Sequence, residues 1–261
     1  MPEAGGLHYE LHGPEDAPPV LLSPGLGGSG HYWAPNLAAL ARRHRVIAYD
    51  HRGTGRSARE VPGDLTLEGL ARDMVVLLDA LGIDQVTLIG HAIGGMAGLA
   101  LALAQPERLA RLVVINGWAK LDAHSARCFD TRLALLRDSG PRAFLHAQPL
   151  FLYPAQWISD HHEALQEEEE RLLAHFPGAE MVQRRIAAAR RFDIAGRLGE
   201  VRVPTLVVVS EDDMLVPPAQ SERLAAGIAD AQLARMATGG HACNVTRADH
   251  FNMWLLDWLD S

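Results

Sequence analysis

The 261-residue chain is short of several things, and each shortage removes a class of protein. Its two cysteines, Cys128 and Cys243, are too few for a disulfide framework. Lys120 is its only lysine, and 32 acids outnumber 24 basic residues, for a formal charge of −8. A nucleic-acid partner normally needs a basic face, so this balance argues against one. No segment approaches the ~20 consecutive apolar residues of a membrane span. The start, Met1-Pro2-Glu3-Ala4-Gly5, lacks a basic stretch followed by an apolar one; no signal peptide and a cytoplasmic location are expected. His31, His91, His161 and His162 lack metal-site spacing, and neither a metal nor a cofactor is predicted.

What is present is a 48% hydrophobic sequence, enough for one substantial core. Short apolar runs at Leu7–Leu11, Val20–Ser23, Val46–Asp50, Val86–Ile89, Leu112–Asn116 and Thr205–Ser210 read as strands. A helix is expected over Leu67–Leu81, N-capped by Thr66 and stopped by Gly82, and another over Asp249–Leu259. Strands alternating with helices predict a mainly parallel sheet covered on both faces. Residues 117–199 break the pattern: Ala, Leu, Arg and Glu dominate and no convincing strand appears. The chain therefore divides into a core, residues 1–116 and 200–261, and an inserted helical cap, residues 117–199, over the sheet's carboxyl edge. Within the cap, Glu167-Glu168-Glu169-Glu170 reads as a solvated helix face.

Residues 90–94, Gly-His-Ala-Ile-Gly, follow one of the strands and precede a small, apolar helix-forming stretch. They fit the G-x-S-x-G turn that lifts a nucleophile above a sheet, except that Ala92 has no oxygen or sulfur. Tyr49-Asp50-His51-Arg52-Gly53-Thr54-Gly55-Arg56-Ser57 resembles a DxRGxGxS loop, and Ser23-Pro24-Gly25-Leu26-Gly27-Gly28 an oxyanion loop with proline in place of histidine. Ser210 to Pro217 resembles a G-x-x-D-x-x-x-P acid segment, and Gly239-Gly240-His241 a catalytic-histidine loop. Together, in this order, they resemble the α/β-hydrolase superfamily over nearly the whole chain. The resemblance implies an α/β-hydrolase fold with the cap inserted after the sixth strand. It implies roles too: His241 and Asp213 as the catalytic pair, Ala92 at the elbow, and the backbone amides of Leu26 and Ile93 as the oxyanion hole.

Four further segments, residues 26–33, 116–118, 147–155 and 239–246, resemble the branch of that superfamily that serves uracil degradation. That branch is assigned to hydrolysis of aminoacrylate or the related carbamate, small nitrogen compounds that also break down unaided. An enamine or imine is electrophilic once protonated, so water activated by His241 can replace a serine, which stable esters and amides need. Two other readings of Ala92 stand beside this one: a binding protein without catalysis, and a serine esterase carrying an engineered change. Small-molecule contacts are expected from Trp33, Asn116, Trp118 and Tyr153, with Arg127 as the arginine to meet a carboxylate. Register to Pro217 favours Asp213 over Asp212 as the acid, and Cys243 reads as a small buried thiol rather than a replacement nucleophile.

Overall fold

Successive residues of the central strands alternate between two apolar layers, which a strand does only when both of its faces are covered. The computed structural model describes residues 3–61 and 63–260, so Met1 and Pro2, in the leader-free reading above, lie outside the described residues. Among those described, the strands are β1 (Glu3–Ala4), β2 (Leu7–His12), β3 (Pro19–Ser23), β4 (Arg45–Tyr49), β5 (Val86–His91), β6 (Leu109–Ile115), β7 (Thr205–Ser210) and β8 (Gln232–Met236). They form one sheet in the order β1-β2-β4-β3-β5-β6-β7-β8, parallel from β4 to β8 with β1 and β2 antiparallel at one edge.

The helices before the cap are α1 (Ala34–Leu40), α2 (Leu67–Ala80) and α3 (Ile93–Ala104). Leu21, Leu88, Leu112, Val114 and Val207 point into the layer formed with α2 and α3. Val20, Leu22, Ile89, Val113 and Val208 point the other way, against Trp33, Leu40, Phe251 and Leu255. Thr66 caps α2 as expected, its side chain accepting from the Gly69 amide.

The cap leaves the sheet after the sixth strand. It contains α4 (Ala123–Leu152), α5 (Ala155–Asp160), α6 (His162–Ala174) and α7 (Ala179–Arg191). Asp122 caps α4, and the helix breaks at Gly140, where φ is +84° and ψ −177°. A Cβ there would meet nothing within 4 Å, so backbone conformation, not space, calls for glycine. Pro141 then opens the second half, where a missing amide costs no hydrogen bond. The cap has its own apolar cluster, built on Phe129, Leu136, Phe144, Leu145, Val182 and Ile186. The chain then returns to the sheet and adds α8 (Pro218–Gly227), α9 (Cys243–Thr246) and α10 (Ala248–Asp260). No helix among the described residues is long and apolar enough to cross a membrane.

Candidate active site

The parallel strands end together, so the loops that follow β3, β5, β6, β7 and β8 meet at one edge beneath the cap. Ala92 sits on the sharpest of these turns, at φ +45° and ψ −115°, a region an L-residue rarely enters. The turn is held by the Ala92 amide donating to the Ile115 carbonyl, and by the Met96 amide donating to the Ala92 carbonyl. Its glycines are compelled by space: a Cβ on Gly94 would lie 2.2 Å from the Ser23 carbonyl oxygen. Ile93 opens α3, so its amide has no intrahelical acceptor and is available to a ligand. Leu26 lies across the same cavity.

His241 and Asp213 are both buried, and His241 Nδ1 lies 2.8 Å from Asp213 Oδ2. An ionised carboxylate can only accept, so Nδ1 carries the proton of this bond and Nε2 is the ring nitrogen left to other partners. Asp213 is itself fixed, Oδ1 accepting from the amides of Leu215 and Val216 at 2.8 and 2.9 Å. Asp212 does a different job. Its carboxylate takes the amides of Gly239 and Gly240 and the hydroxyls of Thr238 and Ser210, bracing the loop that carries His241. Burial alone would raise its pKa, but these donors outweigh it and hold the carboxyl below its ordinary value.

Several side chains stand elsewhere than the sequence suggests. Trp33 is fully buried in the layer under α1 and α10 and does not line the cavity; its neighbour Tyr32 does. Asn116 is also buried away from the cavity. Its Nδ2 donates to the His241 carbonyl at 2.7 Å, and its Oδ1 accepts from the Ser210 amide at 3.0 Å, so it ties the histidine loop to β7. Arg127 is exposed and cannot meet a ligand there. Five residues along α4 is about 140° around a helix, so Arg132 faces inward where Arg127 faces out. Trp118, Phe129 and Tyr153 do line the cavity, whereas Phe151 lies behind it, 5.6 Å from the Arg132 guanidinium. Nor is the acidic run of α6 wholly solvated: helical periodicity turns Glu168 and Glu169 toward the cavity while Glu167 and Glu170 stay exposed. Burial, and then Asp213, push the Cys243 thiol up to about 12, which leaves it protonated and inert.

His91 was unremarkable as a sequence position and is not so in space. Its ring stacks on Tyr32 and touches the His241 ring edge-on, both centroids 4.7 Å away. Nε2 lies 2.9 Å from the His241 carbonyl oxygen, which only accepts, so Nε2 carries the proton and Nδ1 is bare. Burial, and then the nearby His241, hold its pKa well below the ordinary value.

Two buried arginines reach in from the cap. Arg185 on α7 donates from Nε to the Leu26 carbonyl at 2.7 Å and from Nη2 to the Gly25 carbonyl at 3.1 Å. Its Nη2 also donates to His51 Nδ1 at 2.8 Å, so one guanidinium ties the loop after β3 to the loop after β4. Arg132 on α4 lines the cavity, its guanidinium 4.8 Å from the Phe144 ring and Nη2 donating to Gln148 Oε1 at 3.1 Å. Burial lowers the pKa of each to about 10, leaving both charged at neutral pH.

The cavity between elbow, histidine loop and cap measures about 130 Å³, enough for a ligand of a few heavy atoms. A second of about 330 Å³ adjoins it beneath α6 and α7, sharing Leu26, Leu145 and Gln148. A parallel sheet with an elbow, an acid–histidine pair and a cap defines an α/β hydrolase, and residues 18–248 match the sequence family described as alpha/beta hydrolase fold.

Within that fold the chain belongs to the RutD family. It is 52% identical to a Variovorax paradoxus protein named "Putative carbamate hydrolase RutD", over 97% of this chain and 96% of the relative. A Caulobacter vibrioides protein of the same name is also 52% identical, over 98% and 96% of the two chains. Among solved structures, the enol-lactonase from Burkholderia xenovorans LB400 aligns with a TM-score of 0.88 at 29% identity, covering 99% of this chain and 98% of that one.

Proposed function

We propose that the protein hydrolyses the C–N bond of a small amino compound of pyrimidine breakdown, aminoacrylate or carbamate, with water as the direct nucleophile. The observation that carries this reading is the pairing of an intact His241–Asp213 couple with an elbow whose residue is Ala92. Everything that activates a nucleophile is in place, and the space where a hydroxyl would sit is left to a methyl group. The relatives named as carbamate hydrolases supply the substrate class.

The chemistry balances without a covalent intermediate. Aminoacrylate and water give the three-carbon aldehyde acid and ammonia; carbamate and water give bicarbonate and ammonia. For aminoacrylate, protonation of the carbon next to the carboxylate turns the amino-bearing carbon into an iminium centre. His241 Nε2 takes a proton from water as the water oxygen bonds to that carbon. The imidazolium, supported by Asp213, returns the proton to nitrogen; the C–N bond breaks as the new hydroxyl becomes the carbonyl and releases its proton to solvent, replacing the one taken up at carbon, and ammonia leaves. For carbamate, negative charge growing on oxygen faces the amides of Leu26 and Ile93, which donate without reorganising. General acid–base help of roughly 10²–10⁴-fold suits a reaction that already proceeds alone.

The test is a nuclear magnetic resonance time course of freshly generated aminoacrylate, and separately of carbamate, with and without the protein. Faster ammonia release from either supports the reading; identical time courses for both with folded protein refute it.

A further inference from the structure

Arg132 is a buried cation without an anion. It is 2% exposed; its hydrogen bond goes to one neutral amide oxygen, Gln148 Oε1, and its guanidinium lies over the faces of Phe144 and Phe151, with the uncharged Cys128 thiol nearby. Its Nε is buried with no acceptor, and no carboxylate pairs with it among the described residues. A charge so placed is expensive to desolvate, and proteins ordinarily pair it or expose it.

The other charged groups around the cavity do not answer it. Glu168 is held by Arg171, whose Nε donates at 2.7 Å. Glu169 faces His146 at 2.9 Å and Arg142 at 3.7 Å, and the Asp213 carboxylate is taken by His241 and two amides. The cavity therefore carries one uncompensated positive charge. A second donor is unpartnered in the same wall, Trp118 Nε1. The break at Gly140 brings this about, because it lets residues 132 and 148 of one helix meet.

We propose that Arg132 is the receptor for the carboxylate or carbamate anion of the substrate, with Gln148 holding the guanidinium in place. A planar guanidinium grips two oxygens at once, which fixes the amino-bearing carbon relative to His241. The inference deepens the proposed function and rests on it for the identity of the substrate, but not for the chemistry of the ligand. It assigns a specificity: small anionic acids enter, and their neutral amides do not.

The probes are acrylate and its neutral isostere acrylamide, followed by ligand-detected resonance and calorimetry on the full chain. Acrylate is expected to bind and acrylamide not to. Arg132→Met should weaken acrylate binding about tenfold or more, with Arg132→Lys between the two, since lysine keeps charge but loses the fork. Arg132→Met is also expected to melt higher than the parent, because it removes an unpaired buried charge; a purely structural arginine would leave a variant that melts lower. In the hydrolysis assay the methionine variant should show its defect mainly in KM. Equal binding of acrylate and acrylamide by the parent, no acrylate binding, or unchanged acrylate binding by the methionine variant each overturns the receptor. Acrylate binding that needs Arg132, in a protein that accelerates neither hydrolysis, keeps the receptor and sinks the proposed function instead. Acceleration that survives Arg132→Met with KM unchanged does the reverse.

Discussion

Sheet and cap meet at one cavity but are built on different rules. The sheet buries strands on both faces, and its polar groups at the site are locked: Asp212, Asp213 and Asn116 each make bonds that hold the histidine loop. The cap has a small aromatic cluster of its own and reaches the site through long side chains, of which Arg132 and Arg185 are buried. Loop backbone and short side chains at the sheet edge are suited to chemistry that must be placed within fractions of an ångström. Long cap side chains are suited to choosing what enters. The two cap arginines differ in degree: Arg185 gives Nε and Nη2 to the carbonyls of Leu26 and Gly25 and to His51 and leaves Nη1 bare, whereas Arg132 makes one hydrogen bond, to Gln148, and leaves Nε without an acceptor.

Removing the chemical half is expected to cost most. His241→Ala should lose the roughly 10²–10⁴-fold assistance of the general base while melting within a few degrees of the parent. Time courses of aminoacrylate decay and a thermal melt check both parts, and full activity in the folded variant would end the division of labour drawn here.

Acidification should also strike the sheet before the cap. Burial holds His51 and His91 well below their ordinary pKa, with Arg185 adding to the effect at His51 and His241 at His91. The unfolded chain takes protons near ~6.5 and the native one does not, so stability drops as pH falls through ~6.5, by up to about 1.4 kcal/mol per pH unit for each group. Melting temperature measured from pH 7 to pH 5 should decline, and His91→Gln should flatten the curve. A parent curve that is already flat contradicts the assignment of neutral histidines.

A gain of function sharpens the comparison from the other side. Ala92→Ser places a hydroxyl on a turn already shaped to present it, next to His241, so hydrolysis of p-nitrophenyl acetate should rise several-fold above the parent. No rise, with the serine shown far from His241, would place the chemistry elsewhere. The smallest effect belongs to the cap: Tyr153→Ala opens the cavity wall, and acids longer than three carbons should then bind a few-fold better by calorimetry. Tight binding of long acyl chains to the parent would refute a small-substrate cavity.

The sheet was largely legible because its signal is local. Apolar alternation marks β3, β5, β6 and β7 wherever both faces are buried. β8 leaves no such mark, because an edge strand reading Gln-Leu-Ala-Arg-Met is only half apolar. The glycines around Ala92, and the spacing that brings Asp213 to His241, are also written in consecutive residues. The cap was less legible because its key facts are angular. Arg127 and Arg132 look alike as letters, and only the helix's rotation sends one to solvent and one to the cavity. Nor can composition show that a break at Gly140 brings Arg132 to Gln148. Asn116 and Trp33 were sensible contacts by position, but a positive φ of 50° at Asn116 and the packing of Trp33 beneath α1 turn them inward.

The contour at Ala92 is dictated from outside the residue. A Cβ on Gly90 would stand 2.4 Å from the Gly95 nitrogen and one on Gly94 2.2 Å from the Ser23 oxygen, so strand and helix clamp the turn whatever occupies its apex. The apex thereby becomes a socket. Its occupant is chosen independently of the shape around it, so a hydroxyl or a thiol in place of the methyl would bring a different nucleophile to the same turn without a new fold.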